Sequence, residues 1–190
     1  MNKGMLIVFS GPSGVGKGTI LKEVMKDETL NLTYSISMTT REIREGEQDG
    51  VNYFFVSKEE FEKAIEEDRL LEYAKYVDNY YGTPKDYVFK QMEEGKNVIL
   101  EIEVQGAAQV MERYPECTSI FILPPDLEEL ERRIRNRHTE SDEVIKKRVE
   151  QAASEIYLAA NYEYKVVNDT VESAVREVKY IISREILERN

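Results

Sequence analysis

Met5-Leu6-Ile7-Val8-Phe9-Ser10-Gly11-Pro12-Ser13-Gly14-Val15-Gly16-Lys17 is the stretch that decides the fold. The uninterrupted apolar run predicts a buried strand, and Thr19-Ile20-Leu21 opens an amphipathic helix behind it. Between them, Gly11 to Lys17 has the spacing of a phosphate-binding loop. Only a glycine-rich backbone wraps a polyphosphate closely enough for several N–H groups to converge on it. The helix that follows adds unpaired N–H donors and the positive end of its dipole. Lys17 then reaches the distal phosphates as a point charge, and is expected to stand in solvent until they arrive. The usual pattern places Ser or Thr after the lysine, to ligate Mg²⁺. Here Gly18 takes that place, and the first hydroxyl belongs to Thr19.

The rest of the chain sets bounds on partners. At 190 residues it predicts one domain, large enough to need no disulfide or structural metal. Cys117 is the only cysteine, which rules out an intramolecular disulfide and suits a reducing cytoplasm, with the thiol as a small core residue. A net charge of −11 argues against a nucleic-acid polymer as partner. No stretch approaches the ~20 apolar residues of a membrane span, and the N-terminal run is too short for a secretory leader. No membrane partner and a cytoplasmic location are therefore expected.

Apolar strand-like runs recur at 5–9, 34–39, 53–56, 97–102, 118–123 and 164–167, alternating with helical segments. That order predicts an α/β fold with a parallel sheet flanked by helices. Ser57 with Glu60, Asp126 with Glu129, and Asp169 with Glu172 have capping-box spacing. Thr83-Pro84 predicts an N-cap and first helical residue, and Ser141 precedes the acids Asp142 and Glu143. Two segments break the alternation. Residues 34–83 predict a mainly β insertion, and 126–158 a charged, mobile helical arm; 1–33, 84–125 and 159–190 are the core.

Basic residues gather in both of those segments. Arg41 and Arg44, in the loop after Tyr34-Ser35-Ile36-Ser37-Met38, could form a fork for phosphate, with Tyr53 adding a hydroxyl. Taken alone, an exposed charged loop beside Glu42, Glu45 and Glu47 is the simpler explanation. In the arm, Glu128–Arg132, Glu129–Arg133 and Glu131–Arg135 predict i,i+4 pairs on a solvated helix. Four positions before Arg137 and Arg148 stand Arg133 and Val144, not acids.

From end to end the chain resembles a guanylate kinase. The resemblance rests on the phosphate loop, Ser-Ile-Ser-Met-Thr-Thr-Arg at 35–41 and Asp-Gly-Val-Asn-Tyr-Phe-Phe at 49–55. Glu72-Tyr73-Ala74, Asn79-Tyr80-Tyr81-Gly82-Thr83, Leu-Glu-Ile-Glu-Val-Gln-Gly at 100–106 and Val166-Val167-Asn168-Asp169 extend it. It implies a P-loop NTPase fold in which the insertion binds GMP and the arm is a lid. It implies that Gly11, Pro12, Ser13, Gly14, Val15, Gly16, Lys17, Gly18, Thr19 and Asn168 bind ATP. Ser37, Arg41, Arg44, Tyr53 and Tyr81 would hold the GMP phosphate, while Glu72, Thr83 and Glu103 face the base. Thr19 and Glu101 would hold Mg²⁺ through water. Lys17, Arg133, Arg137 and Arg148 would act on the transferring phosphoryl group.

Elementary chemistry agrees with this set. Guanine offers N1–H and N2–H₂ side by side to one carboxylate, where adenine offers an acceptor. The attacking phosphate has a second pKa near ~6, so it is largely ionised at neutral pH and needs no general base. Catalysis then reduces to positioning and charge stabilisation. His138 stands where the family has glycine, and its expected effect is on lid flexibility, not chemistry. A GTPase would carry Asp-x-x-Gly after a strand and Asn-Lys-x-Asp, and neither is present. A catalytically inactive, phosphopeptide-binding relative is the remaining alternative; such modules lack the working loop that Lys17 completes here.

Overall fold

The structure is a computed structural model that describes residues 3–76, 78–136 and 141–189. Its centre is a parallel sheet of five strands: β1 (Leu6–Ser10), β2 (Leu32–Tyr34), β7 (Asn97–Glu101), β8 (Thr118–Leu123) and β9 (Tyr164–Val167). They lie in the order β2-β7-β1-β8-β9. Alternate side chains of β1 feed two cores, as strand geometry demands. Ile7 and Phe9 pack with Ile20, Leu21 and Val24 of α1 (Lys17–Val24) and with Val178 and Ile182 of α7 (Val171–Arg189). Leu6 and Val8 face Val88 and Met92 of α3 (Lys85–Glu93) and Ala107 and Val110 of α4 (Val104–Arg113). Cys117 is buried in this second core, and burial pushes its thiol up to about 11, so it is an inert core residue.

A second, mixed sheet has the order β4-β3-β6-β5. It comprises β3 (Met38–Thr39), β4 (Phe54–Phe55), β5 (Leu70–Tyr76) and β6 (Asn79–Pro84). Phe61 and Ala64 of α2 (Lys58–Glu66) pack with Leu70 beneath it. The run expected as one strand over 34–39 is split between the sheets. Tyr34 ends β2 in the central sheet and Met38 begins β3 in the other, with Ser35 to Ser37 crossing between them.

β5 carries a bulge. Leu70 pairs with Pro84 and Tyr73 with Gly82, so Leu71 and Glu72 together oppose Thr83. An extra residue in one strand re-aims side chains. Here Leu71 enters the second core and Glu72 is buried against α4. Gln109 of α4 clamps the bulge by accepting from the Tyr73 N–H at 3.2 Å and donating to its carbonyl at 3.0 Å.

α5 (Leu127–Arg135) and α6 (Asp142–Ile156) form the arm. Several predicted caps differ in detail. Ser57 and Glu60 make the full box, whereas Asp126 caps the Glu129 N–H while the Glu129 side chain turns to arginines. α7 is capped one residue later than expected, by Thr170 exchanging bonds with Ser173, not by Asp169 with Glu172. Pro84, not Thr83, occupies the cap position of α3, because β6 runs on through Thr83 to Pro84, which pairs with Leu70. Arg132 pairs with Glu129, three residues before it, and not with Glu128, while the Glu129–Arg133 and Glu131–Arg135 pairs form as expected. Arg137 and His138 lie outside the described residues.

Candidate active site

The loop from Gly11 to Gly16 follows β1 directly and turns through positive φ at Gly14 (86°) and Gly16 (97°), a region glycine enters without steric cost. Gly16 caps α1 with no side-chain hydrogen bond, so the helix N-terminus is left to an external acceptor. Val15 is fully buried and anchors the loop, and Asn168 donates its amide to the Val15 carbonyl at 2.8 Å. The Asn168 amide oxygen is buried with no partner among the described residues. A side chain on Gly16 would strike this amide at 2.7 Å, and one on Gly14 would strike Ile134 of α5 at 2.8 Å. The loop is thereby wedged between the central sheet and the arm.

Lys17 is not solvated, contrary to expectation. Its ammonium donates to the carbonyls of Gly11 at 2.6 Å and Pro12 at 3.2 Å, across the mouth of its own loop. Burial lowers its pKa, opposed by the field of Glu103, Glu101 and Glu155. Arg148 of α6 donates to the Ser13 hydroxyl at 2.8 Å, which places one arm arginine on the loop. Arg133 is elsewhere: it donates to Glu129 at 2.7 Å and to the Asp169 carbonyl at 3.3 Å, beside Asn168. One of its guanidinium nitrogens is buried without a hydrogen-bond partner among the described residues. The bonds of Arg132 and Arg133 push the Glu129 carboxyl down to about 2.

Glu101 ends β7 with its carboxylate 3.7 Å from where a side chain on Gly18 would begin. Desolvation raises its pKa, helped by the charge of Glu103 and opposed by that of Lys17. Thr19 is exposed one residue further on. Among the described residues no three His, Cys, Asp or Glu side chains converge to cage a metal. The set fits Mg²⁺, which prefers phosphate oxygens, water and one or two carboxylates to an all-protein cage.

A cavity of about 180 Å³ is lined by Ser35, Ser37, Tyr53 and Glu101, among others. It joins the end of the central sheet to the second sheet. Arg41 lies over the Tyr53 ring at 5.4 Å, and the edge of Tyr53 meets Tyr81 at 6.1 Å. Arg41 is held by both oxygens of Glu47, while the Arg44 guanidinium makes no ion pair among the described residues. Ser35 was missed by sequence reasoning. Its hydroxyl is buried and unpartnered in this cavity, but the alternating serines of 35–37 gave no sign of which one faces inward.

Glu72 and Thr83 complete the set. Thr83 donates to a Glu72 carboxylate oxygen at 2.6 Å, both residues are buried, and desolvation raises the Glu72 pKa. The Thr83 hydroxyl serves the carboxylate and not the helix cap. Glu103 sits at the start of α4 with its side chain exposed and uncapped.

A glycine loop between a central parallel strand and a helix, with lysine and arginine on it and an acidic edge beside it, defines a phosphotransferase of the P-loop NTPase class. Comparison with known proteins narrows this. A profile of the guanylate kinase family matches residues 3–185. The guanylate kinase of Latilactobacillus sakei is 56% identical over 186 residues, covering 98% of this chain and 92% of that protein. That of Listeria monocytogenes serotype 4b is 56% identical, covering 97% and 90%. The crystal structure of guanylate kinase from Anaplasma phagocytophilum superposes with a TM-score of 0.73 at 32% identity, covering 97% of this chain and 87% of that one. The chain belongs to the guanylate kinase family.

Proposed function

We propose that this protein phosphorylates GMP at the expense of ATP, yielding GDP and ADP, in purine nucleotide metabolism and GMP recycling. The observation that carries the reading is the buried Glu72 carboxylate held by Thr83. A carboxylate there accepts both N1–H and N2–H₂ of guanine, and meets an acceptor at N1 of adenine. Its raised pKa measures the cost of burial without those donors, and guanine supplies them.

The remaining roles belong to the same proposal. Ser37, Arg41, Arg44, Tyr53 and Tyr81 hold the acceptor phosphate, and Glu103 lies on the base side. The loop N–H groups and Lys17 hold the donor phosphates, with Lys17 exchanging its carbonyl partners for phosphate oxygens. Asn168 braces the loop and offers its free amide oxygen toward ATP. Thr19 and Glu101 would hold Mg²⁺ through water, and the ion would supply positive charge to neutralise the donor phosphates. A GMP phosphate oxygen forms the new bond to the γ-phosphorus as the bond to the ADP oxygen breaks, and Arg133, Arg137 and Arg148 stabilise the spread charge.

Residues 34–83 act as the GMP-binding part and 126–158 as a lid that excludes water, the rest forming the core. No described helix is long and apolar enough to cross a membrane, and we place the enzyme in the cytoplasm. Measuring ADP release with GMP, dGMP, AMP and UMP tests the reading. Turnover is expected with GMP and more weakly with dGMP. Equal turnover with AMP would refute the role of Glu72.

A further inference from the structure

Gly106 lies in the first turn of α4, with helical backbone and no positive φ. Nothing in its conformation asks for glycine, and in a helix glycine costs about 0.5–1 kcal/mol relative to alanine. Space is what asks for it. A Cβ built at Gly106 would sit 2.6 Å from the second carboxylate oxygen of Glu72, 3.2 Å from its Cδ and 3.5 Å from its Cγ. All three contacts are to this one side chain. The other carboxylate oxygen is already fixed by Thr83, so the carboxylate cannot pivot away and keep that bond.

We infer that Gly106 is a specificity-determining positioning residue, whose missing side chain gives the Glu72 carboxylate its place against the base. The inference rests on the reading of Glu72 given above. The clash falls on the mobile end of one side chain, not on backbone, so the fold accommodates a methyl group at Gly106 and the readout does not. The bulge fixes Glu72 from one side and α4 from the other. A helix usually improved by alanine here trades that gain for recognition.

The test is Gly106→Ala, read by KM for GMP, KM for ATP, kcat and melting temperature, beside Glu72→Gln and Glu72→Asp. A carboxylate displaced by about 1 Å loses roughly 10- to 100-fold in substrate use. The expected result is a KM for GMP raised at least tenfold, KM for ATP within twofold, and a melting temperature unchanged or higher. Because aspartate is one methylene shorter, Gly106→Ala should cost much less in the Glu72→Asp background than in the native one. An unchanged KM for GMP in Gly106→Ala, with a loss in Glu72→Gln, would overturn this inference alone. Unchanged GMP use in both variants would overturn the reading of Glu72 itself. Loss of cooperative melting in Gly106→Ala, with no relief by Glu72→Asp, would make the position merely structural and overturn the inference as well.

Discussion

Arg41 donates to both carboxylate oxygens of Glu47, at 3.0 and 2.8 Å, and the same carboxylate accepts the backbone N–H of Arg44 at 2.9 Å. One acid of this loop thereby orders both arginines of the proposed phosphate fork. Glu47 offers Arg41 the same pair of oxygens that a phosphate offers. Arg41→Lys keeps the charge and loses the fork. KM for GMP should rise roughly 10- to 100-fold, since a hydrogen bond to a charged group contributes about 1.5–3 kcal/mol. Steady-state kinetics showing KM for GMP within twofold would mean that Arg41 serves the loop only.

The bond from Arg41, the largest cause, together with the Arg44 N–H, holds the Glu47 carboxyl below its ordinary range. The sign follows from linkage. Its ordering of the loop is complete above the ordinary glutamate pKa of about 4.3 and is lost as pH falls through the lowered value. A carboxyl-carbon NMR titration should place the Glu47 midpoint below the ordinary glutamate value of about 4.3, and a midpoint at or above it would contradict the pair.

Lys17→Met should abolish phosphoryl transfer. The ammonium binds the Gly11 and Pro12 carbonyls, so the substitution also removes two contacts within the loop itself. Its effect on stability should be small, because losing two hydrogen bonds is offset by no longer burying a charge. Turnover above a tenth of the native value would mean that this loop is not the ATP site.

Burial raises the Glu72 pKa, with the Thr83 bond opposing it. Ionising a buried carboxyl costs stability once pH exceeds its unfolded pKa, and the full cost is present above the raised folded value. Glu72→Gln should therefore melt higher than the native protein at neutral pH, and the difference should close in acid. Melting curves across pH test this, and a native protein more stable than the variant at pH 7 would contradict it.

Arg148 donates to the Ser13 hydroxyl at 2.8 Å, which joins the proposed lid to the phosphate loop. Arg148→Ala should lower kcat roughly 100- to 1,000-fold, as for other donors to a developing charge, with little change in KM for GMP. Small-angle scattering should show a smaller radius with GMP and a non-hydrolysable ATP analogue together. An unchanged radius on saturation would remove the lid role from residues 126–158.

How far the sequence was legible depends on how local each feature is. The phosphate loop and the central strands are local patterns, and Leu6 to Ser10 alternates between two cores as any parallel strand must. The bulge at Leu70 to Tyr73 is not local. Leu70-Leu71-Glu72 has no alternation to read, β5 and β6 were expected only as extended runs within the insertion, and the pairing that buries Glu72 depends on β6 and α4. Thr83 looked like a helix cap because Pro84 follows it, but β6 continues through it and frees the hydroxyl for Glu72. Lys17 looked solvated because nothing in the sequence shows that its own loop carbonyls lie within reach. The Ser35–Ser37 crossing was hidden in a single apolar run.

The most direct measurement of the central claim compares GMP with IMP, which keeps N1–H and lacks the 2-amino group, in the native protein and in Glu72→Gln. Two donors on one buried carboxylate predict that the native enzyme prefers GMP by roughly 10- to 1,000-fold in kcat/KM, about 1.4–4 kcal/mol. In Glu72→Gln that preference should shrink by at least tenfold, mostly through loss of GMP turnover. The same GMP-to-IMP ratio in both proteins would contradict the assignment of Glu72 to guanine.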